Sequence, residues 1–120
     1  MKQGRIAMAY KTIISLYKKP GLPFRICNQL FMLKKVLEPF YEFQAEMEGK
    51  VIEESGQEIN RFEMTPEIRK AFEQIQAEEV EIEIEPLEIP LTDELAEKMG
   101  ITGEMIDQLD GFIKFTEAGA

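Results

Sequence analysis

Apolar side chains recur at helical spacing through the first 48 residues. The turn "KKPGLP" divides them into two stripes, because Pro20, Gly21 and Pro23 do not continue a helix. The pattern predicts two antiparallel neighbouring helices, the second running to about Glu48, with a kink or a restart at Pro39. The stripes are Ile6, Tyr10, Ile13 and Tyr17, then Ile26, Leu30, Leu33, Leu37 and Phe40 or Tyr41.

The next stretch is ambiguous before the pattern becomes helical again. Residues 50 to 64 mix short apolar alternation with a Ser-Gly turn, which leaves a hairpin and a mobile loop as alternatives. Residues 65 to 76 then predict a helix, with Thr65 as its N-cap and Pro66 at the first position. We expect its buried side to carry Ile68, Phe72 and Ile75.

Strict alternation follows in "EEVEIEIEPLEIP", residues 78 to 90. Val80, Ile82 and Ile84 occupy one face of a predicted strand, and glutamates occupy the other. At Pro86 the apolar side chains shift from even-numbered to odd-numbered positions, which predicts a bulge or a break there. Since prolines lack the N–H that a central strand donates, residues 80 to 90 are expected at the edge of a sheet. Their glutamates are expected to protect this edge from pairing with a strand of another chain.

The last thirty residues predict two short helices and a closing strand. Thr92 and Thr102 are the predicted N-caps, and Gly100 and Gly111 are the predicted ends. "FIKF", residues 112 to 115, is expected as a strand, with residues 1–5 and 116–120 as loose ends. The prediction for 1–120 is therefore one α+β domain: an antiparallel N-terminal helical hairpin packed with a small β-sheet and short C-terminal helices.

Charge is distributed very unevenly along the chain. Residues 1 to 37 contain eight lysines and arginines and no acid, whereas residues 38 to 120 contain all 23 acids and six bases. The two halves could therefore face each other within the fold, stack head to tail between subunits, or contact different partners. The single cysteine, Cys27, cannot form an internal disulfide, which fits a cytosolic protein with a buried structural thiol.

Most catalytic chemistry is excluded by composition. The chain has no histidine, its two serines (Ser15 and Ser55) lie in no nucleophile motif, and no glycine-rich phosphate loop follows a strand. Same-face strand residues lie roughly 6.6 Å apart, so the glutamates after Val80 cannot surround one cation unaided. We therefore expect no enzyme activity, no cofactor and no metal site.

Residues 94 to 111, "ELAEKMGITGEMIDQLDG", have the spacing of a helix-turn-helix. The second helix, however, carries Glu104, Asp107 and Asp110 and no base, so it would be repelled by the phosphates that flank the major groove. We predict an αα-hairpin and no sequence-specific DNA binding. The amphipathic first helix is more typical of a core helix than of a membrane-surface helix. The hairpin's predicted core residues are Leu95, Met99, Ile101, Met105, Ile106 and Leu109.

Four stretches together resemble a family of small proteins from tailed phages and prophages of Gram-positive bacteria, classified as a domain of unknown function. They are "AYKTIISLYKKPGLP", "ICNQLFMLKKVLEPFYEFQAEMEGKVIEE", "EVEIEIEPLEI" and "LTDELAEKMGITGEMIDQLDGFIKF", covering about residues 7 to 116. The resemblance implies a phage-encoded accessory protein in the host bacterial cytoplasm, or one associated with the virion. It assigns no catalytic or binding residues.

Two roles follow from these expectations. The first is a structural or adaptor protein in phage assembly that binds a phage or host protein and self-associates through its polarised charge. The second is a counter-defence inhibitor that covers a basic groove of a host nuclease. In either role the candidate interaction surface is Glu81, Glu83, Glu85 and Glu88.

Overall fold

The computed structural model describes residues 1–118 and has an α+β fold dominated by helix. Three helices come first, and a short unit of two strands and two helices completes the chain. In order the elements are α1 (Gln3–Tyr17), α2 (Phe24–Glu54), a single 3-10 turn (Ile59–Arg61), α3 (Pro66–Ala77), β1 (Leu87–Leu91), α4 (Asp93–Met99), α5 (Gly103–Gln108) and β2 (Ile113–Glu117).

Helices α1 and α2 lie against each other, and their contacts run in opposite order along the two sequences. The ring of Tyr17, at the end of α1, is 6.3 Å from that of Phe31, and the ring of Tyr10 stacks 4.6 Å from that of Tyr41. Helix α2 has about twice the residues of α1, and it is contacted by α3 as well as by α1.

Helix α2 is longer than predicted. It passes through Pro39 and Gly49 and ends at Glu54, so the predicted end at Gly49 is wrong. A glycine inside a helix costs only about 1 kcal/mol relative to alanine, and burial of Ile52 one turn later offsets that cost. A hairpin in residues 50 to 64 is also wrong, because the first five residues are helical and the rest form a loop around the 3-10 turn.

The sheet consists of β1 and β2, which are parallel, so the antiparallel arrangement expected from the sequence does not extend to the strands. Leu87 pairs with Ile113 and Leu91 with Glu117, and the crossover that a parallel pair requires is supplied by α4 and α5. Residues 81 to 86 lie outside the sheet. The strand predicted over residues 80 to 90 therefore exists only from Leu87, directly after the parity change at Pro86.

Residues 1–5 and 116–120 were expected to be loose ends, but residues 1–5 and 116–118 are structured. The backbone N–H of Val80 donates to the carbonyl of Met1 at 2.8 Å, and α1 begins at Gln3. At the other end Thr116 and Glu117 belong to β2, and the N–H of Ala118 donates to the carbonyl of Leu91 at 2.9 Å. Residues 119 and 120 of the predicted tail lie outside the described residues.

The main core lies between the α1–α2 pair and the C-terminal unit. The predicted caps Thr65, Thr92 and Thr102 are confirmed, since each hydroxyl accepts the N–H three residues later. Ile106 and Tyr17 were predicted in the core but are 47% and 36% exposed; Tyr17 is the last residue of α1, so packing against Phe31 of α2 covers it only in part. The buried cluster is Ile6, Ala9, Ile13, Leu16, Ile26, Leu30, Leu33, Leu37, Ile89, Met99, Leu109, Phe112 and Ile113.

Candidate functional site: an acidic ridge and an apolar groove

The four glutamates singled out in the sequence form what we call the acidic ridge: Glu81, Glu83, Glu85 and Glu88. All four are exposed, and none has an ion-pair partner within residues 1–118. The apolar residues between the first three, Ile82 and Ile84, are half-buried against the core. The period-two pattern thus correctly separates a packed side from a solvent side, although the glutamates before Pro86 lie outside the sheet.

An apolar groove, which the sequence did not reveal, lies where α1, α2, α3 and residues 78–80 meet. Its volume is about 730 Å³. Of its lining residues, Phe43 is 56% exposed, while Gln3 is almost fully buried. The residues lining this groove are Gln3, Pro39, Phe40, Phe43, Met47, Val51, Ala71, Gln74, Ile75, Glu78, Glu79 and Val80.

Gln3 and Gly4 hold the start of α1 against the elements that line the groove. The backbone N–H of Gln3 donates to the carbonyl of Glu78 at 2.9 Å, and its side-chain Nε2 donates to the carbonyl of Phe40 at 2.7 Å. Gly4 allows α1 and α3 to approach closely, since a Cβ there would lie 2.8 Å from the Cβ of Gln76. The hydrogen bonds of Gln3 therefore connect the start of α1 to α2 and to residue 78, and Gly4 allows α1 to pack closely against α3.

A row of apolar residues on α2 continues from the groove toward the other end of the helix. We call Met32, Val36, Pro39, Phe43 and Met47 the outer row; their spacings of four, three, four and four place them on one side of the helix. Met32, Val36 and Phe43 are 58%, 45% and 56% exposed. Exposed apolar residues in a continuous row are typical of a contact surface.

The sequence did contain the signal for this second row. At 100° per residue the outer row and the buried stripe from Ile26 to Leu37 lie on different sides of α2, so the helix is apolar on two sides. Sequence reasoning assigned only the buried stripe, because one apolar side is enough to explain a core helix. Two apolar sides on one long helix indicate a second contact.

Neither surface brings together groups that are typical of catalysis. The polar side chains of the groove are two glutamines and two glutamates, and residues 1–118 contain no group of three or more Cys, Asp or Glu that could hold a metal ion. Outside both surfaces, burial, then the nearby charges of Glu38 and Glu42, raise the pKa of Tyr10. The site therefore suits the binding of apolar side chains.

The helix-turn-helix lookalike forms two short helices, and the second of them is tied to α1. The hydroxyl of Thr12 donates to Oε1 of Gln108 at 2.6 Å, and the guanidinium of Arg5 donates to the carbonyl of Asp110 at 2.6 Å. The C-terminal end of this helix thus faces α1. The absence of sequence-specific DNA binding stays a prediction.

Two further observations bear on the class of protein. No helix within residues 1–118 is long and apolar enough to cross a membrane. Comparisons with protein-family models, with curated proteins and with solved structures found no match. The relationship to phage proteins therefore stays a hypothesis that rests on the sequence stretches quoted above.

Proposed function

We propose that this chain is a non-enzymatic interaction protein with a structural or adaptor role in phage assembly, acting in the host cytoplasm or on the virion. The observation that supports it best is the apolar groove together with the outer row on α2. Exposed side chains such as Met32 and Phe43 lose their unfavourable contact with water when another protein covers them.

The charge distribution supports contacts with more than one partner. Basic side chains lie on α1 and on the first half of α2, whereas the second half of α2 and the acidic ridge carry acids. Complementary potentials guide association and reject partners of like charge. An adaptor uses such separated surfaces to hold two components at once.

The acidic ridge supports a second candidate, an inhibitor of a host defence nuclease. Glu81, Glu83 and Glu85 are exposed at intervals of roughly 6.6 Å if the segment is fully extended, and a row of this kind attracts a basic nucleic-acid groove. In this role the ridge would take the place of a phosphate backbone.

Deletion of the gene from the phage or prophage that encodes it separates the two candidates. We expect incomplete particles by electron microscopy in every host, with rescue by the wild-type chain and loss of rescue by Phe43→Glu. Ile106→Glu, which changes a similarly exposed residue on α5, is the matched control and should rescue. Normal particles in undefended hosts, with failure only in hosts that carry the nuclease, would support the inhibitor and contradict the assembly role.

A further inference from the structure

We propose that the outer row is the docking site for a second copy of this chain, with the two α2 helices antiparallel about a two-fold axis between Pro39 and Phe40. The proposal deepens the interaction role above, on which it rests, by naming one partner and the geometry of its contact. It makes the protein a dimer whose central contact is a pair of long helices.

Four of the five residues of the outer row are placed symmetrically about that point on α2. Met32 and Met47 are equally far from it along the sequence, and so are Val36 and Phe43. In an antiparallel pair Met32 of one copy therefore meets Met47 of the other, and Val36 meets Phe43. Since Met47 and Phe43 line the groove, the exposed Met32 and Val36 of each copy enter the groove of the other.

The charges of α2 select the antiparallel direction. The first half of the helix carries Arg25, Lys34 and Lys35 against one acid, Glu38. The second half carries one base, Lys50, and five acids: Glu42, Glu46, Glu48, Glu53 and Glu54. An antiparallel pair places each basic half against an acidic half, whereas a parallel pair places like charges together.

Specific pairs follow from the helical positions. Lys35, Glu42 and Glu46 lie on the same flank of the outer row, so Lys35 of one copy faces Glu42 and Glu46 of the other, twice by symmetry. Within one chain Nζ of Lys35 is 3.6 Å from Oε2 of Glu38, and Oε1 of Glu46 is 3.9 Å from Nζ of Lys50. Both pairs lie within one helix at its surface, with Glu38 partly buried, and such pairs contribute little, so the side chains can exchange partners at small cost.

The first test is the oligomeric state in solution, measured by sedimentation equilibrium over a range of concentrations. We expect a dimer for the native chain and a shift to monomer for Val36→Glu, with an unchanged helical circular dichroism spectrum because Val36 is 45% exposed. Ile106→Glu is the control and should stay dimeric. Lys35→Glu should weaken the dimer, and adding Glu42→Lys and Glu46→Lys to it should restore the dimer.

The second test is the direction of the helices, measured by disulfide cross-linking in a Cys27→Ser background. An α-helix rises about 1.5 Å per residue, so in the antiparallel dimer the two copies of residue 32 lie roughly 22 Å apart along the axis. A mixture of Met32→Cys chains and Met47→Cys chains should cross-link, and neither variant should cross-link with itself.

Three results would overturn the proposal. They are a monomer at every concentration, a dimer that is insensitive to Val36→Glu, and self-cross-linking of Met32→Cys, which indicates parallel helices. A monomer whose gene is nevertheless needed for complete particles overturns the dimer alone and leaves the assembly role. A dimer whose gene is dispensable in every host overturns the assembly role and leaves the dimer.

Discussion

Replacing Gly4 by alanine should destabilise the protein, although alanine favours helices. The new Cβ would lie 2.8 Å from the Cβ of Gln76 and 3.3 Å from its carbonyl oxygen, which are not mobile side-chain ends, so α1 and α3 must move apart. Such overpacking costs about 1–3 kcal/mol. The helix-propensity gain of alanine over glycine is at most about 1 kcal/mol, and it is smaller here because Gly4 lies in the first turn. We expect a net loss of about 1–2 kcal/mol.

Gly49→Ala is the matched control, because Gly49 is also helical but has room for a side chain. Its Cβ would meet only Cδ1 of Ile59, at an ordinary 3.6 Å, so the change should stabilise the protein by about 0.5–1 kcal/mol. Urea unfolding followed by circular dichroism gives both free energies. If Gly4→Ala stabilises the protein as much as Gly49→Ala does, the close approach of α1 and α3 is refuted.

Three further results are expected. The pKa of Tyr10 is raised in the folded state, so the contribution of Tyr10 to stability is complete below pH 10 and is lost as the pH rises through the folded-state pKa. Tyr10→Phe should therefore flatten the fall of the unfolding free energy above pH 10. An identical fall in the variant and the native chain would contradict this. Thr92→Ala should cost about 1 kcal/mol in urea unfolding because the N–H of Leu95 loses its acceptor, whereas Thr92→Ser should cost much less. Changing Glu81, Glu83 and Glu85 together to glutamine should leave the melting temperature and the sedimentation of the protein unchanged. Aggregation of this variant would show instead that the acidic ridge prevents pairing between chains.

The capping signals at the two ends of α4 were reliable because the interactions they rest on are local. Thr92 caps α4 because a hydroxyl three residues before a free N–H can reach it, whatever the rest of the chain does. The glycine at position 100 likewise ends α4 in the left-handed conformation, with φ of 65°. Such interactions span a few residues, so their pattern can be read directly.

Strand pairing could not be read in the same way. Alternation in residues 80 to 85 shows that one side of the segment is packed, but not whether a neighbouring strand accepts its hydrogen bonds. The partner of β1 is β2, 26 residues further along the sequence, and nothing in "LEIPL" or "IKFTE" specifies a parallel pairing. The same limit hid the groove, since it forms only when α3 returns to α2.

The way in which the main core is assembled has a consequence during synthesis on the ribosome. Its N-terminal share, from Ile6 to Leu37, emerges first, but the residues that cover it extend to Ile113. At 5–20 residues per second, the intervening 76 or so residues take roughly 4–15 s to translate. Throughout that interval the nascent α1–α2 pair exposes its future core as well as its outer row. During synthesis the growing chain therefore exposes more apolar surface than the finished protein does. A second chain that is being translated from the same messenger RNA can bind to that surface.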